Sequence, residues 1–316
     1  LLLAPSTPST LSVRILQIFQ SSDMDSFFIA SNLSLIQLII IIVLLISWII
    51  FEKIVKQQYF YIFFLKITSI KLEFLKLVVL CFSVILFLLS CLGIICSILW
   101  GFSENWYFPS FFPNDLRVNY FLSFYDQNKA LIFISIFIPL TVSLLSISLI
   151  IIWVELLDYL KIKKTQFEWI IFTPLFIPQI SFLIGMQSFI IFFNYNSFLI
   201  PLVFVQLFYV MPYCFIILAP AIREVKSDYI KVASSLGKNR IDRLFNIKIP
   251  LVLPSLLNSF AMGIIISFSL YVPVYFIGAG RVTTLTVEAL NLALSGSKED
   301  LGIATFFQIL FPTLLL

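Results

Sequence analysis

The chain has 316 residues, of which 61% are hydrophobic and only 11% charged, and its mean hydropathy is +1.08. A soluble globule carries charge on about a quarter of its residues, so this composition excludes one and leaves an integral membrane protein. The formal charge of +4 says little as a sum, because in such a chain the placement of Lys and Arg matters more.

Apolar stretches long enough to cross a bilayer as helices are predicted at about 31–51, 77–100, 131–154, 169–193, 197–219 and 251–277, and a seventh runs from near Gly302 to Leu316. Open strands are excluded, since the bilayer core offers their backbone no water. The expected fold class is all-α, a polytopic transmembrane helical bundle. The chain does not begin with Met and stops inside its seventh apolar run, so it is expected to be a fragment, and no signal peptide is read from its start.

Segments 52–76, 155–168 and 220–250 fall on one side of the predicted spans and hold 15 of the 20 Lys and Arg, while the acidic residues divide eight and eight. That asymmetry places these three segments in the cytoplasm. A repeat links the two ends of the chain. Thr10-Leu11-Ser12-Val13 matches Thr284-Leu285-Thr286-Val287, and Ile29-Ala30-Ser31 matches Ile303-Ala304-Thr305, with no gap between the two matches. On this reading 1–51 is the end of a first half (an outer segment plus its last helix), 52–76 is a cytoplasmic linker, and 77–316 is a second six-helix domain, cut short at its C-terminus.

Cys81, Cys91, Cys96 and Cys214 all lie in apolar spans and the chain has no His, so they read as small buried hydrophobes rather than a metal or redox site. The six complete spans carry no Asp, Glu, Lys, Arg or His in their central regions. An ion-coupled carrier keeps such groups or unwound ion sites near the midplane, so the driving energy is expected from elsewhere. An ion-coupled secondary transporter is the alternative reading. No phosphate-binding loop of the Gly-x4-Gly-Lys-Ser/Thr type occurs, and no cluster of catalytic residues either. Gly278-Ala279-Gly280 follows a predicted membrane helix with no strand before it, and reads as a turn; the helical pattern 287–294 then ends near Gly296. The polar residues Gln179, Gln187, Gln206, Asn194 and Asn258 lie in spans; they line a translocation path or bond helix to helix. The aromatic cluster of Trp106, Tyr107, Phe108, Phe111 and Phe112 reads as an interfacial belt or a substrate guide. Prolines 174, 178, 201, 212, 254 and 273 can kink helices and free carbonyls.

The most polar stretch is 221–250, with seven basic residues between two apolar runs. Ser227 or Asp228 is predicted to cap a helix that runs to Leu236, with Ile230, Ala233 and Leu236 on one face and Gly237 as its stop. Asn239 opens a second helical segment, which Pro250 ends. The order of Ala233, Gly237, nine residues, then Ile247-Lys248-Ile249-Pro250 resembles the EAA loop of ABC importer permeases. The family's Glu falls at Lys231 and its first Ala at Val232. The resemblance extends to Trp106-Tyr107-Phe108-Pro109 with Pro113, to 174–179 with Phe182 and Gln187, and to 278–289. All of these look like the second half of YnjC-type permeases, double-length relatives of the thiamine and iron(III) permeases.

The resemblance implies the type I ABC importer permease fold in the bacterial inner membrane, with no catalytic residue, metal or cofactor of its own. It implies two ABC ATPase subunits as partners, an outer solute-binding protein, the lipid bilayer around the chain, and no nucleic acid. It also implies that Ala233, Gly237, Ile247, Ile249 and Pro250 form the element on which the ATPase docks.

Overall fold

The structure is a computed structural model that describes residues 9–19, 24–64, 72–103, 118–160, 168–193 and 197–315, with Trp106, Ser110 and Pro113 besides. Tyr107, Phe108, Pro109, Phe111, Phe112 and Asn194 lie outside the described residues.

The regular elements are helices throughout: α1 (Leu11–Phe19), α2 (Met24–Phe64), α3 (Leu72–Phe102), α4 (Val118–Gln127), α5 (Lys129–Leu160), α6 (Trp169–Phe176), α7 (Gln179–Phe192), α8 (Leu199–Glu224), α9 (Ser227–Ser235), α10 (Arg240–Arg243), a π turn (Leu244–Lys248), α11 (Ile249–Leu251), α12 (Leu253–Ser269), α13 (Tyr271–Gly278), α14 (Leu285–Ser295) and α15 (Lys298–Leu315). Four of them, α2, α3, α5 and α8, are long and apolar enough to cross a bilayer alone. Two bent pairs bring the crossings to as many as six: α6 with α7, at 103°, and the helical run Arg240–Leu251 with α12, at 78°. The all-α polytopic bundle expected from the sequence is therefore the fold. Helix α2 has 41 residues; at 1.5 Å each that is about 60 Å, twice the hydrocarbon thickness. It runs well into the stretch expected as a linker, and α3 has begun by Leu72.

Two of the expected spans are broken, each at a proline expected to be able to kink it. Ile177 is extended (φ −81°, ψ 133°), as the residue before Pro178 must be when the proline ring crowds its backbone. At Leu270 (φ −73°, ψ 94°) the chain breaks again, because the Pro273 ring would collide with the Ser269 carbonyl four residues back if the helix continued. The break frees the Phe268 carbonyl, and the Thr286 hydroxyl donates to it at 2.6 Å. In an apolar surrounding that bond replaces the helical one.

The core is the mutual packing of α5, α8 and α12. With lipid outside as apolar as Leu, close backbone approach has to hold such helices together, and small side chains permit it. Ser259, Gly263 and Ser267 recur at every fourth position of α12 and are buried, with Gly263 opposite the buried Ser143 of α5. A Cβ at Gly263 would come within 2.8 Å of Ser143 Oγ. Cys214 Sγ donates to the Ser259 carbonyl at 3.3 Å, while Ser259 Oγ donates to the Cys214 carbonyl at 3.2 Å, which locks α8 to α12. Cys214 is buried as expected. Cys81 is exposed and Cys91 and Cys96 only half-buried, which corrects the expectation for those three: much of α3 turns its apolar surface outward.

The repeat is also structural. Helices α1 and α14 begin 274 residues apart (Leu11 against Leu285), and so do α2 and α15 (Met24 against Lys298). In both copies the short helix packs on the long one that follows. Ala30 and Ala304, at matching positions, are fully buried, and the amides of Arg14 and Glu288 donate to the carbonyls of Thr10 and Thr284 alike. The partners differ. Helix α15 crosses α3 at the glycine pair Gly101 and Gly302, whereas α2 packs on α7, where Ser181 Oγ donates to the Ser34 carbonyl at 3.1 Å.

Candidate functional site

Residues 221–250 form a compact helix–turn–helix at the Lys- and Arg-rich end of the bundle. Helix α8 runs on to Glu224, five residues past its expected end, and its Arg223 pairs with Glu168 at 2.6 Å. Val225 and Lys226 then turn the chain into α9. The N-cap is Lys226 (φ −56°, ψ 129°), with no side-chain cap bond, so neither Ser227 nor Asp228 is the cap. Asp228 instead sits in the first turn, where its charge favours the helix dipole, and pairs with Lys231 at 3.3 Å.

Gly237 stops the helix as the sequence predicts. Its φ is +74°, the left-handed region that glycine tolerates. The Lys238 amide donates to the Ala233 carbonyl and the Gly237 amide to the Ser234 carbonyl, both at 3.0 Å. These are the two bonds of a Schellman C-cap. Asn239 (φ −63°, ψ 163°) then caps α10, and Arg243 reaches back across the turn to donate to Ser234 Oγ, bracing the two helices. Pro250 does not end the second segment. It lies within the helical run, where its missing N–H and fixed φ suit the first turn of α11, and the bend comes at Val252 (φ −98°, ψ 9°).

Of the expected docking residues, Ala233 is buried, Ile247 and Ile249 are half-buried, and Gly237 and Pro250 are exposed. They are the frame of the element rather than its outward surface. That surface consists of Tyr229, Val232 and Leu236 on α9 and Ile241 and Phe245 on the second segment, all between 53% and 75% exposed. Of Ile230, Ala233 and Leu236, expected on one face, Ala233 is buried and Ile230 half-buried, while Leu236 is the C-cap residue of α9 and exposed. The spacing of 229, 232 and 236, and of 241 and 245, is helical in the sequence itself and marks the surface. These five apolar side chains lie together with many cations, outside the apolar spans.

The inner side of the same segment is polar. Arg240 Nη2 donates to the Glu155 carbonyl at 3.0 Å, Lys248 pairs with the Glu155 carboxylate, and the Arg240 guanidinium lies 4.8 Å from the Tyr159 ring centroid. The loop is thus held against the end of α5, with which sequence reasoning did not connect it.

The polar residues within the spans do not form one cluster. Gln206 is buried, and the Ser267 hydroxyl donates to its Oε1 at 2.5 Å, so it bonds α8 to α12. Beside it a small cavity is lined by Ser135, Thr284 and Thr286, and the Leu285 amide donates to Ser135 Oγ at 2.8 Å. Gln179 opens α7, Asn258 is exposed on α12, and the buried Gln187 Oε1 has no hydrogen-bond partner. At the other end of the bundle, Ala279 and Gly280 take positive φ (46° and 75°), and the Arg281 amide donates to the Gly278 carbonyl at 2.8 Å. Gly278-Ala279-Gly280 is a turn, as expected, and α14 closes at Gly296 (φ 85°). Among the described residues no group of His, Cys, Asp and Glu could hold a metal ion.

No protein-family model matches the chain. It is similar to the inner membrane ABC transporter permease protein YnjC of Escherichia coli (strain K12), with 28% identity over 181 residues, 57% of this chain and 34% of that protein. The matched part thus spans about a third of the length of this curated relative. With its apolar crossings and this similarity, the chain is a multi-pass inner-membrane protein that resembles an ABC transporter permease.

Proposed function

We propose that the chain is a transmembrane permease subunit of an ABC-type importer, moving a small solute from an outer binding protein into the cytoplasm. The energy comes from two ATPase subunits, one of which docks on the 221–250 loop. The observation that carries this reading is the loop's two-sided build. A rigid turn at Gly237 and the Arg243 brace hold Tyr229, Val232, Leu236, Ile241 and Phe245 outward, while the inner side grips the core helices. A flexible tether would bury less and fix nothing. Ala233, Gly237, Ile247, Ile249 and Pro250 act as the scaffold of the docking element.

The reading includes a second permease half of the same fold, to which α1 and α2 belong as closing elements. The matching starts of α1 with α14 and α2 with α15 support it. On the translocation path, Gln179, Gln187 and Asn258 are the polar candidates; of these the Gln187 Oε1 is buried and makes no hydrogen bond to the chain. Gln206 serves instead as a link between helices.

The test is to extract the full-length protein from its native membrane in mild detergent and measure MgATP hydrolysis in the purified fraction. An ATP-hydrolysing chain should copurify and cross-link to a cysteine at Ile241. Ile241→Asp with Leu236→Asp should remove it, because both side chains already face outward and their replacement leaves the bundle intact. Equal hydrolysis in parent and variant, or none in the parent, would refute the docking reading.

A further inference from the structure

Glu155 stands near the C-terminal end of α5, directly after the buried Val154. Its carboxylate meets Lys248 Nζ and lies 3.7 Å from Arg240 Nε, and its backbone carbonyl accepts the Arg240 bond. Lys248 Nζ is also 3.9 Å from Asp158 Oδ2. Residues 155, 158 and 159 share one face of the last turns of α5, so one patch receives both cations. The Glu155 and Lys248 side chains are 14% and 10% exposed. A pair this shielded is screened far less by salt than a surface pair, and removing one partner leaves the other uncompensated.

Register explains how two cations eight residues apart reach the same carboxylate. In an uninterrupted α-helix they would stand about 80° apart around the axis. The π turn at Leu244–Lys248 takes up one extra residue, which reduces the offset to about 20° and returns Lys248 to the face of Arg240.

The connectivity makes this patch important. The loop is joined covalently to α8 through Val225 and Lys226, and to α12 through Val252. The third core helix, α5, has no such chain connection to the loop and meets it through side chains, at Glu155, Asp158 and Tyr159. We propose that Glu155 is a positioning residue that clasps Arg240 and Lys248, so that α5 moves as one body with α8 and α12 when the docking face is pulled. The consequence for transport rests on the docking reading above, whereas the clasp is a property of the chain itself.

The experiment places spin labels at Leu160→Cys and Asn246→Cys, both exposed and neither part of the apolar docking face, in the full-length chain with its native cysteines replaced, reconstituted in nanodiscs. Pulsed electron paramagnetic resonance should give one narrow distance. Glu155→Gln should lose it to a broad distribution, Lys248→Met should do the same from the loop side, and Glu155→Asp should keep the main peak. A narrow distance that survives in both charge-removing variants overturns the proposal, even if both unfold at lower temperature, because the pair would then only stabilise. With the ATPase bound and trapped by MgATP and vanadate, the parent distance should hold. A shift there also overturns the clasp, since the loop would be sliding along α5. Failure of any ATPase to bind refutes the docking reading instead, and the nanodisc comparison still decides the clasp.

Discussion

Replacing Gly101 with Ala isolates how much of the bundle depends on one backbone crossing. A Cβ at Gly101 would lie 2.7 Å from the carbonyl carbon of Gly302 and from the Ile303 nitrogen, which are backbone atoms that cannot rotate away. Helices α3 and α15 would have to separate. Overpacking of this kind destabilises by about 1–3 kcal/mol, and the better helix propensity of Ala offsets about 0.5–1 kcal/mol of that. Gly93 on the same helix is the internal control, since a Cβ there meets nothing within 4 Å. Gly93→Ala should be neutral or stabilising by up to about 1 kcal/mol. At about 2 °C per kcal/mol for a chain of this size, the two variants should melt about 2–6 °C apart, with Gly101→Ala the lower. Thermal unfolding in detergent, followed by tryptophan fluorescence, reads this directly, because Trp100 neighbours the crossing. Gly302→Ala should behave like Gly101→Ala, its own Cβ lying 2.7 Å from the Gly101 Cα and the Ser97 carbonyl oxygen. Equal melting temperatures for the Gly93 and Gly101 variants would refute the reasoning.

Two further outcomes follow from single positions. Gly237→Val should open the turn between α9 and α10, because a side chain at φ +74° costs about 1–2 kcal/mol even though nothing lies within 4 Å of a Cβ there. Hydrogen exchange of the Lys238 amide should quicken about 5- to 30-fold, with Gly237→Asn close to the parent, and unchanged exchange in the Val variant would count against the Schellman turn. Thr286→Val keeps the side-chain shape but leaves the Phe268 carbonyl at the α12 break without its donor. It should destabilise by about 1–2 kcal/mol, seen as a lower melting temperature that Thr286→Ser restores.

The helix stop at Gly237 was legible in the sequence because it is a local requirement: a positive φ has few residues to choose from, and glycine at the end of an apolar-periodic run announces it. The outward pattern at 229, 232 and 236 is present in the sequence in the same way, but the grouping of Leu236 with Ile230 and Ala233 does not carry to their burial, since a helix wheel does not extend through a C-cap. The capping residue moved by one position for a similar reason, as the chain leaves α8 in an extended turn that only the packed bundle imposes.

Composition and periodicity by themselves determined that the chain crosses a membrane as helices, which end carries the cations, and that its two ends repeat. These follow from solvation and hydrogen bonding, which act on each segment wherever its neighbours lie. Tertiary structure decided the rest. It showed that Pro178 and Pro273 break their helices where other prolines are absorbed, that Gln206 is spent on Ser267, and that Gly101 and Gly302 need each other. It also brought Glu155 to Arg240 and Lys248, residues 85 and 93 positions away. Contacts between residues so far apart in the chain depend on which faces meet once the helices pack, and no local pattern carries that information.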